Sequence, residues 1–536
     1  MRVFNFSILD CKIPALARLP WWGVSAAVGS GLLYYAAFPP LAWAWAAWLA
    51  LLPLMLIALK LPPRASACLG LLAGLCGWLP SLVWLTHVSW IGWLIISAYC
   101  AIYIALFAAL TSVWLHSPTV APRYRHWLLP LVIPAIWTGL EFMRARLFTG
   151  FPWNTLATSQ YAQPQLLAPA AWGGMYLAGF LVLLPAAALL PLLGMADRRR
   201  WRPSVVLIGL AMLIFVAANH CNHKQIELER PGMRQVRIGL VQLNIPQTIK
   251  WSDEWTEATY QRLQAVSLKM MRYCQPDLLV WPETVLPDFF RNSLAARDVL
   301  DILLPHQIPI IAGSMDFSVH DSEVYYYNSS FLLTTESSMD ASYAKRHLVM
   351  FGEYVPLSRW LPFLTALTPI TGSFTPGREA TVFELDSGIK LAPLICFEDI
   401  IPGLARDSVR NGGRLLVNQT NDAWFDFSAA SRQHMAHCVL RSIENRVPAV
   451  RSANTGVTCF IDVSGRIIDA LPPAAVYPMP AQAICRAMMV PSAGMRPTFY
   501  TRHGDWFAWL CLLPVFVGWL RCITRKTIKP VCGPEV

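Results

Sequence analysis

Apolar runs of about twenty residues recur near 20–37, 41–59, 67–85, 90–113, 127–142, 167–193 and 203–220, and once more near 504–520. A run of that length is what an α-helix needs to cross a hydrocarbon core roughly 30 Å thick. Within lipid every backbone polar group must be paired internally, so a chain built this way is committed to a helical bundle for that part of its length. The pattern predicts seven spans, a long stretch that holds most of the acidic residues, and an eighth span. Composition agrees, with 55% hydrophobic residues, 23 Trp and 14% charged residues over 536 positions. Three units follow: a seven-helix transmembrane region at 1–220, an extramembrane domain at 221–503, and an eighth helix with a basic tail at 504–536. The first run follows Arg2, Lys12 and Arg18 as a signal peptide would. It is long, however, "YYAAFPP" offers no small-residue cleavage site, and another run follows at once, so it reads as a retained helix.

Basic residues occupy alternate loops. They precede the first span (Arg2, Lys12, Arg18) and follow the second (Lys60, Arg64), the fourth (Arg123, Arg125), the sixth (Arg198, Arg199, Arg200, Arg202) and the eighth (Arg521, Arg525, Lys526, Lys529). Under the positive-inside rule both termini are cytoplasmic and the large domain is on the opposite face. The net charge of +11 is mostly accounted for by these loops and tails, which leaves no call for nucleic acid. Arg144 and Arg146 run against the trend, as tolerated interfacial charge or as contacts to lipid phosphate.

Thirteen Cys are scattered without a CxxC pair, so neither a disulfide framework nor a zinc knot is indicated. His434 and His437 stand three apart without a partnering ligand set. No metal and no cofactor are expected.

From about residue 235 the periodicity changes. "VRIGLVQLNI", "DLLVWPE", "IPIIAGSM", "YYNSSFLLT", "LAPLICFED", "RLLVNQTND", "VPAVRSANTG" and "VTCFIDVSG" read as short strands, and "DEWTEATYQRLQAVSLKMMRYC" as an amphipathic helix. Short apolar strands alternating with helices predict an α/β domain, in which strand mouths are where loops assemble sites. Glu283 closes "LLVWPE", Lys345 follows "ASYA", Cys396 closes "APLIC", and "LVNQTNDAWF" carries Asn418, Asn421 and Asp422. Alone, each has an ordinary explanation: a solvated strand end, a surface charge, a packing thiol. Together they specify a reaction. A thiol is a strong nucleophile once deprotonated, a carboxylate within reach can take its proton, and an ammonium can offset charge developing on a carbonyl oxygen. Glu283 is then the base, Lys345 the oxyanion stabiliser, assisted by a backbone N–H near Phe397, and Cys396 the nucleophile. No histidine is placed by its spacing to form the Cys–His pair of other thiol enzymes.

The domain resembles the carbon–nitrogen hydrolase, or nitrilase, superfamily through "VWPET", "YAKRHLVMFGEYVP" and "LICFED". The chain from 20 to 520 resembles the bacterial apolipoprotein N-acyltransferase family, through "FPW" at 151–153, "GEYVP" at 352–356, "NDAWF" at 421–425 and "NTG" at 454–456. That resemblance implies eight transmembrane helices, an α-β-β-α sandwich and a bacterial inner membrane with the catalytic domain on the periplasmic side. It implies transfer of a fatty acyl group from a membrane phospholipid to the α-amine of the N-terminal S-diacylglyceryl-cysteine of a diacylated apolipoprotein. It also implies supporting roles for Glu353, Glu398, Phe397, Asn421 and Trp424. The chain departs from the family pattern at Phe397, where Tyr is usual, at Met350, where Pro is usual, and at Gln419, Thr420 and Asp426.

A transferase must keep water from its thioester while admitting an amine, so apolar walls open to the bilayer are expected. The stretch 354–374, with Trp360, Phe363, Leu364, Leu367 and a single charge at Arg359, is read as the lipid-access edge. Two rival readings are a membrane-tethered amidase and a transporter with an external binding domain. Seven spans exceed what a tether needs, and the spans contain few ionisable residues to relay an ion.

Overall fold

The computed structural model describes residues 19–118, 122–194, 201–250, 252–286, 288–334, 341–355, 373–472, 479–492 and 494–524. The described chain begins as a helical bundle. Among the described residues five helices are long and apolar enough to cross a membrane: Trp90–Leu115, Tyr124–Arg144, Ala170–Leu193, Trp201–Gly232 and Trp506–Thr524. The first three expected spans take other forms. The first is the 16-residue helix Trp21–Ala36; the second is divided into Ala46–Leu49 and Leu52–Lys60; the third is Pro63–Ser81. The helix expected to stop at 220 continues to Glu229. Small residues explain the close packing of Pro63–Ser81 on Trp90–Leu115: a β-carbon on Gly74 would stand 2.6 Å from Ala101 Cα. Bilayer helices gain contact by such approach, because lipid offers no hydrophobic drive between them.

Among the described residues twelve strands follow: β1 Met233–Gln242, β2 Leu278–Val280, β3 Ile310–His320, β4 Glu323–Leu333, β5 Ala341–Ala344, β6 Phe383–Glu384, β7 Lys390–Ile395, β8 Leu415–Thr420, β9 Ala449–Ala453, β10 Cys459–Ile461, β11 Ile467–Ala470 and β12 Gln482–Pro491. They form two six-stranded sheets, ordered β12-β1-β2-β3-β4-β5 and β11-β10-β9-β8-β7-β6. Each has a parallel centre, β1-β2-β3 and β7-β8-β9, with antiparallel strands outside it.

Alternation along the strands explains the layering. Val236, Ile238 and Leu240 face the core between the sheets with Leu391, Ile395, Leu415 and Val417, whereas Val241, Leu279 and Ile310 face helices Asp253–Cys274 and Leu294–Leu303. Strands apolar on both faces must be covered on both faces. Each fully buried Leu, Ile or Val there contributes about 1.5–3 kcal/mol. The outer face of the second sheet, through Ala392, Leu394 and Leu416, packs on Pro402–Arg410 and Ala430–Asn445, and the same core includes Phe142, Met175 and Ala178 of the bundle. The second sheet thus meets the membrane helices through one continuous apolar layer.

Candidate active site

The three predicted residues converge, each from the end of a strand. Glu283 follows β2 by way of Trp281 and Pro282, and its passage depends on Gly313 of β3. A β-carbon at Gly313 would lie 2.4 Å from Pro282 O and 2.9 Å from Glu283 Cα. Lys345 directly follows β5; its backbone N–H donates to Asn328 O at 2.8 Å. Its ammonium lies 2.8 Å from Glu353 Oε1 and 3.6 Å from Glu283 Oε1. Asn328 Nδ2 donates to Glu283 Oε1 at 2.8 Å and to Glu353 Oε1 at 3.2 Å. One ammonium and one amide therefore hold two carboxylates that would otherwise repel.

Cys396 follows β7 at φ +52°, a left-handed conformation costly for a residue with a β-carbon. The sharp turn lifts the thiol off the sheet edge, and Thr420 Oγ1 donates to Sγ at 3.3 Å. Burial and the Glu283 carboxylate raise the thiol pKa, and the Lys345 ammonium offsets only part of that. The resting group is a thiol, and a thiol of this kind becomes a strong nucleophile only when a base takes its proton. Burial disfavours the Lys345 ammonium, but Glu353 and Glu283 outweigh it, and its pKa lies above the ordinary lysine value. Lys345 stays charged.

Of the supporting residues, Glu398 and Glu353 adjoin the three. Glu398 accepts from Tyr343 OH and the Ile395 N–H, both at 2.8 Å, and from the backbone N–H groups of Arg346 at 2.6 Å and His347 at 3.1 Å. It ties the cysteine turn to the lysine loop. Its own pKa is raised by burial, against these hydrogen bonds. Glu353 also accepts from the Val349 N–H at 2.9 Å, closing the loop that carries it. Phe397 stacks with His347, Phe151 and Trp153, with centroid separations of 6.1–6.3 Å. Asn421 is one shell further out, bonding Gln247 Oε1 at 2.8 Å and Asn454 Nδ2 at 2.9 Å. Trp424 is 44% exposed. Trp360, Phe363, Leu364 and Leu367 lie outside the described residues.

Sequence reasoning missed Lys250, buried behind Glu283, whose Nζ donates to Glu283 O at 3.2 Å and Thr284 Oγ1 at 2.8 Å. Burial pulls its pKa down to about 8 against the Glu283 charge. It also missed His434 and Arg451, which lie behind Cys396. Neither stands at an apolar-to-polar strand end, the signal that located the others. Arg144 was misread: it is buried and donates from Nη1 to Phe151 O at 3.0 Å and Trp153 O at 2.8 Å, its charge 4.8 Å over the Trp78 ring. Arg146 pairs with Asp505 at 2.5 Å. Both find partners within the protein because their loop folds back over the bundle. Among the described residues no group of three or more His, Cys, Asp and Glu is arranged to hold a metal ion.

Comparison with known proteins gives two family matches, the apolipoprotein N-acyltransferase N-terminal domain over residues 30–188 and carbon-nitrogen hydrolase over residues 237–475. The chain is 34% identical over 529 residues to apolipoprotein N-acyltransferase of Geobacter metallireducens, covering 96% of this chain and 98% of that one. It is 32% identical over 492 residues to that of Methylococcus capsulatus, covering 90% and 92%. Among solved structures it is similar to Saccharomyces cerevisiae Nit3, a nitrilase-superfamily member, with TM-score 0.35, 18% identity, and coverage of 47% of this chain and 90% of that one.

Proposed function

The chain belongs to the apolipoprotein N-acyltransferase family, and we propose that it transfers its acyl group through a thioester on Cys396. As a member it is an acyl-transferring enzyme of lipoprotein maturation. The proposed donor is a membrane phospholipid, and the proposed acceptor is the α-amine of the N-terminal S-diacylglyceryl-cysteine of an apolipoprotein. The observation that carries the reading is the ammonium of Lys345 held between Glu283 and Glu353, opposite a strand end that raises Cys396 into a left-handed turn.

In the first half, the Glu283 carboxylate takes the thiol proton as Sγ attacks the ester carbonyl. Negative charge forms on the carbonyl oxygen, where Lys345 offsets it. Collapse breaks the C–O bond, Glu283 returns the proton to the leaving alkoxide, and lysophospholipid departs. In the second half, the acceptor amine attacks the thioester and gives a proton to Glu283. Collapse breaks the C–S bond, the proton returns to sulfur, and an amide is released. Two half-reactions through one enzyme-bound acyl group give ping-pong kinetics.

The stack of Phe151, Trp153, Phe397 and His347 supports an apolar wall on the bundle side of the site. Such a wall disfavours hydrolysis by keeping water from the thioester. The reading also has residues 1–220 and 504–536 in the inner membrane with both termini cytoplasmic, and 221–503 as the catalytic domain on the periplasmic side. The test is intact-mass analysis of protein incubated with phospholipid of one acyl composition. An adduct of that acyl mass on Cys396, discharged by a diacylated lipopeptide, is expected; transfer proceeding in Cys396→Ala would overturn the mechanism.

A further inference from the structure

Behind the nucleophile lies a buried group of four ionisable side chains that the mechanism above does not use. His434, on the helix Ala430–Asn445, sits 2.8 Å from Asp399 Oδ1 through Nε2 and 3.0 Å from Asp422 Oδ1 through Nδ1. Arg451 of β9 joins the same two carboxylates from the other side, Nη1 to Asp399 Oδ2 at 2.7 Å and Nη2 to Asp422 Oδ2 at 2.9 Å. No member is more than 1% exposed.

Charge balance dictates the protonation state. Two carboxylates against one guanidinium leave a net buried negative charge, which is costly in a low-dielectric interior. A doubly protonated imidazole brings the group to neutrality. Its two ring nitrogens lie close to one carboxylate each, so the positive charge is offset from both sides. Arg451 Nη2 also comes within 2.8 Å of Nδ1; with the Nδ1 proton directed at Asp422, the two cations share that carboxylate. The same surroundings act on the titration of two members: the Asp399 and Asp422 charges hold the His434 pKa up against burial and Arg451, and Arg451 and His434 hold Asp422 down to about 2 against burial.

The remaining contact of this group gives it a role. His434 Nε2 lies 3.2 Å from the backbone oxygen of Cys396, which also accepts from Asn418 Nδ2 at 3.1 Å. Asn418 is in turn fixed by Arg451 Nη1 at 3.0 Å. Cys396 therefore has its carbonyl held by two donors at the residue whose φ of +52° is unfavourable. The contact is to the carbonyl and not to Sγ, so His434 is no general base for the thiol.

We propose that His434 is a positioning residue of acyl transfer: an imidazolium fixed between Asp399 and Asp422, it anchors the Cys396 carbonyl and thereby keeps Sγ aimed at the substrate carbonyl. The inference rests on Cys396 being the nucleophile. Misdirecting a nucleophile by about 1 Å costs on the order of 100-fold in rate, and an aiming defect falls on kcat while leaving substrate binding in place.

The test uses the full chain in phospholipid-containing micelles. It compares wild type, His434→Leu, His434→Gln and Asn418→Ala for adduct formation on Cys396, KM for the phospholipid, alkylation by iodoacetamide and unfolding midpoint. His434→Leu is expected to lose about 100-fold in adduct formation with KM within about threefold. His434→Gln, whose amide can donate to the same carbonyl without charge, is expected to recover about tenfold of that loss, one hydrogen bond's worth. A His434→Leu protein forming the adduct at the wild-type rate would overturn the inference. So would His434→Leu and His434→Gln falling equally and only in proportion to lost folded protein. Should His434→Leu not fold, wild-type rates in both folded His434→Gln and Asn418→Ala overturn it, and reduced rates at unchanged KM support it. Wild-type protein that never carries an acyl group on Cys396 would instead sink the nucleophile assignment, before any His434 variant is made.

Discussion

Trp153 and Phe397 lie with ring planes 13° apart and centroids 6.1 Å apart, so a loop of the helical bundle is stacked on the residue that follows Cys396. Trp153 is fully buried, and its Nε1 donates at 2.7 Å to Gln433, which in turn donates to Pro39 O at 2.7 Å and Ser81 O at 3.2 Å. The bundle and the turn bearing Cys396 are packed as one body.

Removing the indole should therefore affect lipid chemistry as well as stability. Trp153→Ala is expected to cost about 3–5 kcal/mol, as large-to-small changes at buried aromatics do. In the protein that remains folded, adduct formation from bilayer phospholipid should fall more than alkylation by iodoacetamide. Equal losses of both would mean that the stack serves only the turn. Phe397→Tyr keeps the ring faces and should leave both rates within about threefold, since stacking does not use the para position.

The three roles at the site predict graded losses. Cys396→Ala should abolish adduct and product alike. Glu283→Gln should leave a thiol whose pKa is raised with no base to relieve it, and single-turnover acylation should nearly vanish. Lys345→Met removes the cation between Glu283 and Glu353 and should cost about 3–4 kcal/mol in the transition state, or about 100- to 1000-fold in both half-reactions. A Lys345→Met enzyme impaired in only one half-reaction would disprove a shared oxyanion site.

The raised thiol pKa has a direction that alkylation can read. Burial and the Glu283 charge disfavour the thiolate, so the folded value lies above that of a free cysteine at about 8.5. The iodoacetamide rate at Cys396 should rise with pH through 8 and 9 without a plateau. A plateau reached below about pH 7 would reveal a resting thiolate–ammonium pair with Lys345.

Asp422 predicts a stability limb at low pH. Its folded pKa, about 2, is below its ordinary value, so the unfolded chain binds more protons between the two. Its contribution is complete above about pH 4 and is lost as pH falls through about 2, amounting to about 2 kcal/mol. Unfolding midpoints of wild type and Asp422→Asn should converge across that window; a constant gap would assign the stabilisation elsewhere.

Topology is tested by single cysteines at Ser318 and at Lys526, probed with an impermeant thiol reagent in intact spheroplasts. Labelling at 318 alone is expected if the large domain is periplasmic and the tail cytoplasmic. Labelling at both positions, or at 526 alone, would refute the orientation.

Legibility differed by the kind of physics involved. Length and apolarity announced the membrane helices, and alternation announced the strands, because both are local properties of consecutive residues. Glu283, Lys345 and Cys396 were legible as chemistry-bearing residues at the ends of apolar runs, and their neighbours Glu353 and Glu398 through family resemblance. The break in the second helix has a local cause that the apolar run masked: Pro53, in the first turn of Leu52–Lys60, has no N–H to donate to the turn before it. Arg144 looked like a loop charge because its acceptors, Phe151 O and Trp153 O, become neighbours only when that loop turns back. His434 and Arg451 looked unrelated to Cys396, being 38 and 55 positions away in sequence. By itself, then, the sequence determined a membrane bundle joined to an α/β domain, and pointed to Cys396, Glu283 and Lys345 as the proposed nucleophile, base and cation. Only the tertiary structure decided which buried charges neutralise one another and what holds the turn at Cys396. The reason is that charge pairing and backbone strain depend on distances between residues remote in the chain, which periodicity and composition do not encode.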